Sequence, residues 1–215
     1  GGYDIGLAFD GDADRCLLVD EKGGVIDGDK VMAVCALDMK RRGKLNGNTI
    51  VATVMSNLGL HEFCRENGID LICTDVGDRN VLEEMLRHDY RIGGEQSGHT
   101  IFLEHNSTGD GLVTALQFLA ACKRAGKSAG EAAKAMTRFP QTLINVRVKD
   151  KHAADGNQAI ADAVAAAEAA LGEDGRVLLR PSGTEPVVRV MVEAMDEHAA
   201  EQHAKSIAEV VEREI

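Results

Sequence analysis

The sequence predicts an α/β protein: a parallel α/β sheet domain followed by an α+β carboxyl-terminal domain, with a remnant hairpin of a preceding domain in front. Three observations favour this fold class. Between residues 49 and 95, apolar runs of strand length alternate with helical patterns, a rhythm typical of a parallel sheet covered by helices on both faces. After Pro140, two apolar runs are separated by one loop, which favours antiparallel pairing and an α+β domain. Before residue 27, short apolar runs flank an acidic loop, as in a hairpin too small to be a domain.

The first piece of the chain, Asp4 to Ile26, is predicted to be strand, loop, strand, turn and short strand. Gly23 and Gly24 supply the backbone freedom that a tight hairpin turn needs. The chain has no starting methionine and runs almost at once into its first strand. We therefore expect residues 1–29 to be the remnant of a domain whose earlier part is missing, with exposed strand edges that seek a partner.

The middle segment, residues 30–139, is predicted to be the parallel sheet domain. A capping box formed by Ser128 and Glu131 opens its last helix, which is expected to reach about Arg138. The predicted helices cover 29–40, 58–66, 81–87, 110–124 and 128–138, and the predicted strands cover 49–54, 69–73 and 91–95. Parallel sheets bind ligands in the loops at the carboxyl ends of their strands. The candidate ligand loops are therefore 55–57, 74–80 and 95–100.

The last segment, residues 140–215, is predicted to be the α+β domain. Pro140 marks its start, and Gly172 closes its first helix. Its strands are expected at 142–148, 176–179 and 187–193, and its helices at 157–171 and 197–214.

Composition restricts the compartment and the partners. The chain has 215 residues, of which 44% are hydrophobic, an ordinary share for a soluble globular protein. Its formal charge of −11 argues against nucleic acid and anionic membranes as partners. No apolar run is long enough to span a bilayer, and the five cysteines show no C-x-x-C spacing. We therefore expect a cytoplasmic protein with reduced thiols and no membrane contact.

The stretch Asp10-Gly11-Asp12-Ala13-Asp14-Arg15 is the first candidate site. Alternate residues of an extended or tightly looped chain point the same way, so the three aspartates can converge on one small volume. Converging carboxylates repel one another unless a cation lies among them, and all-oxygen ligands favour Mg²⁺, Mn²⁺ or Ca²⁺ over zinc. We interpret the stretch as a metal loop, with a solvated acidic turn as the alternative. An EF-hand is excluded because Arg15 stands where its sharp turn needs glycine.

Three further loops carry candidate binding residues. The stretch Arg180-Pro181-Ser182-Gly183-Thr184-Glu185-Pro186, followed by Arg189, contains the groups that usually hold a phosphate, although a surface hairpin with exposed arginines fits the same residues. The stretch Gly93-Gly94-Glu95-Gln96-Ser97-Gly98-His99 can hold the hydroxyls of a sugar, and His99 can transfer a proton near neutral pH. In the loop from Thr74, Arg79 is a candidate phosphate or sugar contact, unless this loop only joins a strand to a helix that Asp78 caps.

Together these motifs carry a family resemblance. In this order and spacing, D-G-D-A-D-R, V-G-D-R, G-E-Q-S-G-H and R-P-S-G-T-E-P-x-x-R make the chain similar to the α-D-phosphohexomutase superfamily. It resembles most the bacterial phosphoglucosamine mutase family, because Glu95-Gln96-Ser97 is followed by Asn106-Ser107-Thr108-Gly109-Asp110-Gly111. The resemblance covers essentially the whole chain. It implies the end of domain 2 and then domains 3 and 4 of a four-domain enzyme, without the phosphoserine loop that carries the nucleophile.

The resemblance implies an intramolecular phosphotransferase that interconverts glucosamine 6-phosphate and glucosamine 1-phosphate through a 1,6-bisphosphate, for amino-sugar nucleotide and cell-wall precursor synthesis. The nucleophilic serine is absent from this chain, so the chain alone is expected to be inactive. The implied cofactors are one Mg²⁺ per active site and glucosamine or glucose 1,6-bisphosphate as activator. The implied metal ligands are Asp10, Asp12 and Asp14. The implied catalytic residues are Arg15 and His99, and the implied substrate contacts are Glu95, Ser97, Arg79, Arg180, Ser182, Gly183, Thr184 and Arg189.

Departures from the family pattern leave alternatives open. The family often has Lys and Tyr where Asp75 and Asn80 stand, so the preferred hexose phosphate stays open. One alternative is a phosphoglucomutase or phosphomannomutase, against which Gln96 argues because those enzymes often carry Met there. The other is a non-catalytic phosphosugar-binding protein. The expected partner is a phosphosugar, and two copies of the chain can also pair as a homodimer or through their strand edges.

Overall fold

A computed structural model of the chain describes residues 2–183 and 185–215, so Thr184 lies outside the described residues. The chain divides into two units, one ending at Arg138 and the other beginning at Phe139. None of the helices in the described ranges is long and apolar enough to cross a membrane. The two units are described separately below.

The first sheet is antiparallel and carries the acidic loop. Its strands, in spatial order, are β1 (Ile5–Phe9), β2 (Cys16–Asp20) and β3 (Val25–Ile26). Cys16, Leu18 and Ile26 are fully buried in the core of the first unit, whereas Leu7 and Phe9 of β1 are 40% and 42% exposed. The strands therefore lie as predicted. Because they share a core with the residues that follow, a separate domain up to residue 29 stays a prediction.

The second sheet of this unit is mixed. Its strands are β4 (Thr49–Thr53), β5 (Asp70–Thr74), β6 (Ile92–Gly94) and β7 (Thr100–Phe102), in the spatial order β5-β4-β6-β7. β4 is parallel to β5 and β6, as predicted, but β7 pairs antiparallel with β6. The predicted parallel sheet is therefore confirmed, with one antiparallel edge strand that the sequence did not predict. β7 has only three residues, too few to show a periodic pattern in the sequence.

Helices cover both faces of this sheet. They are α1 (Gly28–Arg41), α2 (Leu58–Glu66), α3 (Asp78–His88), α4 (Gly111–Ala125) and α5 (Ala129–Ala133). Successive side chains of a strand point to opposite faces, so Ile50 of β4 packs into the larger core with α1 and α4. Its neighbour Val51 packs on the other face against Val81 and Met85 of α3. The first unit is therefore a three-layer arrangement.

α5 begins as predicted and ends early. Ser128 and Glu131 form the expected capping box. The helix was expected to reach about Arg138, but it ends at Ala133, because the amides of Ala135 and Met136 bond to carbonyls three residues back rather than four. Such bonds tighten the chain into turns. This part of the prediction is wrong.

The second unit is an antiparallel sheet covered by two helices. Its strands are β8 (Gln141–Arg147), β9 (Gly175–Pro181) and β10 (Val187–Ala194), in the order β8-β10-β9, and its helices are α6 (Gln158–Leu171) and α7 (Glu197–Glu214). The buried side chains Val188, Val190 and Val192 of β10 share a core with Ala204 and Ile207 of α7. The predicted α+β fold is confirmed, and the turn between β9 and β10 carries the candidate phosphate loop.

Candidate functional site

The acidic loop between β1 and β2 is folded tightly enough to bring its carboxylates together. The amide of Ala13 donates to the carbonyl of Asp10 (3.2 Å), and Ala13 has a φ of +60°, a left-handed conformation that is uncommon for alanine. The amide of Arg15 donates to Asp10 Oδ1 (3.2 Å). In this loop one oxygen each of Asp10, Asp12 and Asp14 lies within 4.8 Å of the others. The predicted convergence of the three aspartates is present.

Within the part of the chain that the structure describes, the charge of this cluster is only partly balanced. Arg15 Nε lies 3.7 Å from Asp10 Oδ2 and 3.9 Å from Asp14 Oδ1, so a single guanidinium group faces three carboxylates. Among the described residues, no donor lies within hydrogen-bond distance of the buried Asp14 Oδ1. A buried carboxylate oxygen without a partner is costly, and hard oxygen ligands of this kind suit Mg²⁺. The residues present therefore fit a divalent cation.

His99 supports the acidic loop from behind. Its side chain is only 3% exposed, Nδ1 lies 3.0 Å from Asp14 Oδ2, and the amide of Gly109 donates to Nε2 (3.1 Å). Because Nε2 accepts, the proton of a neutral ring is on Nδ1 and is donated to Asp14. Both ring nitrogens thus have partners within the first unit, and a role of His99 in proton transfer to a substrate stays a prediction. His99 also forms an isolated antiparallel bridge with Arg15.

Two backbone hydrogen bonds fix the acidic loop to the rest of the first unit. The amide of Cys16 donates to the carbonyl of Gly98 (3.1 Å), and the amide of Gly111 donates to the carbonyl of Ala13 (2.9 Å). The first bond joins the loop to the β6–β7 turn, and the second joins it to the start of α4. The candidate metal loop and the candidate sugar loop are therefore neighbours.

The predicted sugar loop, Glu95 to His99, is the tight turn between β6 and β7. It is closed by hydrogen bonds from the Glu95 amide to the His99 carbonyl (2.9 Å) and from the Gly98 amide to the Glu95 carbonyl (3.0 Å). The Glu95 carboxylate accepts hydrogen bonds from the Ser97 hydroxyl (3.4 Å) and from the Gly77 amide (3.2 Å). Glu95 and Ser97 are thus brought together on an accessible turn, as a pair of sugar contacts requires.

Arg79 is not drawn into this turn. Its guanidinium Nε donates to Glu83 Oε1 (2.7 Å), one turn along the same helix, and its side chain is 86% exposed. α3 begins at Asp78, after Gly77, which provides no side-chain cap, so Asp78 is not the cap that the sequence alternative proposed. The substrate contact predicted for Arg79 has no support from its position here.

In the second unit, Arg180 and Arg189 lie directly opposite each other on β9 and β10. Like charges opposite each other on antiparallel strands destabilise a sheet. Burial, together with the charge of Arg189, lowers the pKa of Arg180. An anion between or beside the two guanidinium groups would remove this repulsion, so their pairing favours a phosphate site over a surface hairpin.

Ser182 organises the turn that follows. Its side chain is buried, and its hydroxyl accepts hydrogen bonds from Arg189 Nη2 and from the Glu185 amide, both at 3.3 Å. Arg189 Nη2 is also 3.4 Å from Glu185 Oε2. Among the described residues, no acceptor lies within hydrogen-bond distance of the buried Arg189 Nε. Arg189 therefore keeps a donor for a ligand.

Lys151 also contacts the candidate phosphate loop, which the sequence did not predict. Its ammonium group donates to the carbonyls of Ser182 (2.5 Å) and Gly183 (3.1 Å), so the predicted phosphate contacts Ser182 and Gly183 are held from one side. Peptide N–H and C=O groups point in opposite directions in a trans peptide, so the Gly183 amide faces away from Lys151. No local motif links Lys151 to this loop, because it is about thirty residues upstream.

The chain matches one family along most of its length. Residues 27–139 match the family described as phosphoglucomutase/phosphomannomutase, alpha/beta/alpha domain III, and residues 143–210 match the C-terminal domain of the same family. A phosphoglucosamine mutase of Frankia alni is 56% identical over 97% of this chain, and one of Thermoanaerobacter sp. (strain X514) is 54% identical over 100% of it. The alignments cover 46% and 48% of those proteins, so the chain spans about half the length of the curated relatives it matches.

Solved structures agree on the fold. Aspergillus fumigatus N-acetylphosphoglucosamine mutase, in complex with GlcNAc-6P and magnesium, has a TM-score of 0.81 at 22% identity, with 95% of this chain and 51% of that chain covered. A putative phosphomannomutase from Thermus thermophilus has a TM-score of 0.69 at 26% identity, with 97% and 46% covered. At 22% identity, the Aspergillus fumigatus structure shows a shared fold only. The family models match residues 27–139 and 143–210 of the sequence itself. The chain belongs to the phosphoglucomutase/phosphomannomutase family.

Proposed function

We propose that this chain is the metal-, sugar- and phosphate-binding part of a phosphoglucosamine mutase, which interconverts glucosamine 6-phosphate and glucosamine 1-phosphate through a 1,6-bisphosphate. The observation that carries the proposal is the identity of 56% over 97% of the chain to a protein of that name. The structure supports it because the acidic loop, the sugar turn and the phosphate loop each have a geometry suited to the role.

Each site takes one part of the substrate in this proposal. Asp10, Asp12 and Asp14 hold Mg²⁺, which when bound neutralises negative charge on a phosphoryl group. Arg15 lies beside the cluster and Asp14 is oriented by His99. Glu95 and Ser97 bind sugar hydroxyls.

The second unit holds the phosphate that does not react. Arg180 and Arg189 supply the positive charge, and Ser182 and Gly183, with Thr184, supply hydrogen bonds. A hexose 1,6-bisphosphate, of glucosamine or of glucose, is the activator. The nucleophilic phosphoserine is supplied by a part of the protein that this chain does not contain.

Activity should depend on the missing half. The 215-residue chain alone should show no conversion of glucosamine 6-phosphate above background, because it lacks the phosphoserine loop that gives a phosphoryl group to the substrate and takes one back from the bisphosphate. Joined to the amino-terminal half of the Frankia alni relative, it should convert glucosamine 6-phosphate faster than glucose 6-phosphate, with Mg²⁺ and a hexose 1,6-bisphosphate present. Turnover by the chain alone after repurification, or a folded joined protein that prefers glucose 6-phosphate, would contradict the proposal.

Metal binding should depend on Asp12. This side chain is exposed and contributes one of the three clustered oxygens, so Asp12→Asn removes a ligand charge without disturbing a buried contact. We expect the dissociation constant for Mn²⁺, used as a paramagnetic probe for Mg²⁺, to rise about tenfold or more. The control is Asp4→Asn, another exposed aspartate of the same unit outside the cluster. Equal Mn²⁺ affinity in wild type and Asp12→Asn would mean that the acidic loop is a solvated turn.

A further inference from the structure

A buried carboxylate lies outside all three candidate sites. Asp29, in the first turn of α1, has no exposed surface. Carboxylates are rarely buried without a cation, and among the described residues none of the basic side chains forms an ion pair with Asp29. Such a group needs hydrogen bonds to remain inside, and its partners show what it holds.

The partners of Asp29 belong to two other segments. Asp29 Oδ2 accepts from the Asn57 amide (2.7 Å), at the start of α2, and from Gln96 Nε2 (3.2 Å), in the β6–β7 turn. The Ser56 hydroxyl also lies beside the carboxylate and favours its charged form. One carboxylate therefore joins the start of α1, the start of α2 and the sugar turn.

The backbone next to Asp29 also forms a hydrogen bond to the β6–β7 turn. The Gly28 amide donates to the carbonyl of Gln96 (3.0 Å). A Cβ on residue 28 would lie 2.0 Å from the carbonyl oxygen of Glu95, so only glycine permits this close approach. Gln96 is thus held twice, through its main chain by Gly28 and through its side chain by Asp29.

Gln96 lies between the two residues to which sugar binding is assigned. Gln96 and Ser97 are the two central residues of the turn that is closed by the bond from the Gly98 amide to the Glu95 carbonyl (3.0 Å). Fixing Gln96 through its main chain and its side chain therefore fixes the backbone from which Glu95, which is partly exposed, and Ser97, which is exposed, project. We propose that Asp29 is a positioning residue that fixes Gln96 in this turn and thereby presents Glu95 and Ser97 to the sugar. The inference rests on the proposed function.

The charge of Asp29 is not required for this role. An asparagine at position 29 that places its Oδ1 where Asp29 Oδ2 lies can accept from both the Asn57 amide and Gln96 Nε2. Alanine can accept from neither. The two variants therefore separate a hydrogen-bond bridge from a charge effect.

The test compares variants of the 215-residue chain by titration with glucosamine 6-phosphate and with inorganic phosphate. Asp29→Ala should weaken glucosamine 6-phosphate binding about tenfold and leave inorganic phosphate within about twofold, because one bridging interaction is lost in the first unit only. Asp29→Asn should restore sugar phosphate binding to within about twofold of wild type. Asp27→Asn, a carboxylate change in the same turn without contact to Gln96, should have no effect on either ligand.

Gln96→Met removes the bridge from its other end and remains informative if Asp29→Ala does not fold. It should cost as much as Asp29→Ala, and the double variant should cost no more than either single one. Additive losses, a normal affinity in Asp29→Ala, or an equal loss in Asp29→Asn would each overturn the proposal.

Hydrogen exchange tests the positioning without any ligand. The amides of Gly28 and Gly98 are bonded to carbonyls of the turn, so both should exchange faster in Asp29→Ala than in wild type or Asp29→Asn. Unchanged exchange would overturn the inference. If wild type fails to bind glucosamine 6-phosphate, the proposed function fails, and exchange at Gly28 and Gly98 still decides the role of Asp29.

Discussion

Replacing Arg189 by alanine, in the chain joined to the amino-terminal half of its relatives, should lower kcat/KM for glucosamine 6-phosphate by about 30- to 1,000-fold. This corresponds to roughly 2 to 4 kcal/mol, the range for removing a charge-assisted contact to a phosphate. Arg189 is suited to such a contact because its buried Nε has no acceptor among the described residues and its partner Ser182 is a buried hydroxyl. A phosphate that does not react orients the sugar, so its binding energy supports turnover as well as affinity.

The matched control is Arg147→Ala. Arg147 is an exposed arginine at the end of β8, in the same sheet, and its removal should change kcat/KM by no more than about twofold. Thermal unfolding distinguishes a binding defect from misfolding. Arg189→Ala relieves the repulsion between Arg180 and Arg189, so the Tm of the second unit should not fall. A near-normal kcat/KM in a folded Arg189→Ala protein would make the turn a plain surface hairpin.

The second large effect is on stability. Burial is the main reason that the pKa of Asp29 is raised from 3.8 to about 7, and the negative charge of Asp27 adds to the rise. Between these two values the folded chain holds a proton that the unfolded chain has lost. The contribution of Asp29 to stability is therefore complete below about pH 4 and is lost as the pH rises through about 7. A shift of this size corresponds to about 4 kcal/mol.

Asp29→Asn should remove this pH dependence. The difference in unfolding free energy between Asp29→Asn and wild type should change by about 4 kcal/mol in favour of the variant from about pH 4 to about pH 8. Four other groups around Asp29 do not titrate between pH 4 and pH 8. Asn57, Ser56 and Gln96 are uncharged, and burial raises the pKa of Cys64 of α2 to about 12.

Tyrosine fluorescence can follow the first unit alone during urea unfolding. Both tyrosines of the chain, Tyr3 and Tyr90, belong to that unit, and the chain has no tryptophan. The control Asp27→Asn should keep most of the pH dependence, because the charge of Asp27 is a smaller cause than burial. A parallel pH profile for wild type and Asp29→Asn would show that the buried carboxylate does not titrate in this range.

The sequence predicted those parts of the fold that have a clear period or an end signal. α2 was predicted with the bounds that the structure gives, since an apolar stripe ends at Asn67 and Gly68. β10 was visible as a run of valines and a methionine. β7 was missed because three residues after a polar turn show no alternation, and α5 was drawn too long because its alanines favour a helix beyond the point where the chain turns.

The candidate sites were predictable where their residues are close in sequence. Asp10, Asp12 and Asp14 share one loop, and Arg180 and Arg189 share one hairpin. Contacts between distant segments carry no local signal. The clearest examples are the bonds from Lys151 to the phosphate loop, from Gly109 to His99 and from Gln96 to Asp29. For the same reason the sequence could not show that the ring nitrogens of His99 are occupied.

The bond between Cys16 and Gly98 has a mechanical consequence. It couples the acidic loop to the β6–β7 turn, and the bridge between Arg15 and His99 lies beside it. Packed, hydrogen-bonded segments of this kind move as one rigid piece. The distance between the clustered aspartates and the Glu95–Ser97 pair is therefore set within this piece. Under the function proposed above, a phosphosugar that presents each of its two ends to the same metal would not be turned over by a movement of this piece, and it would have to release Glu95 and Ser97, rotate and bind them again in the opposite sense.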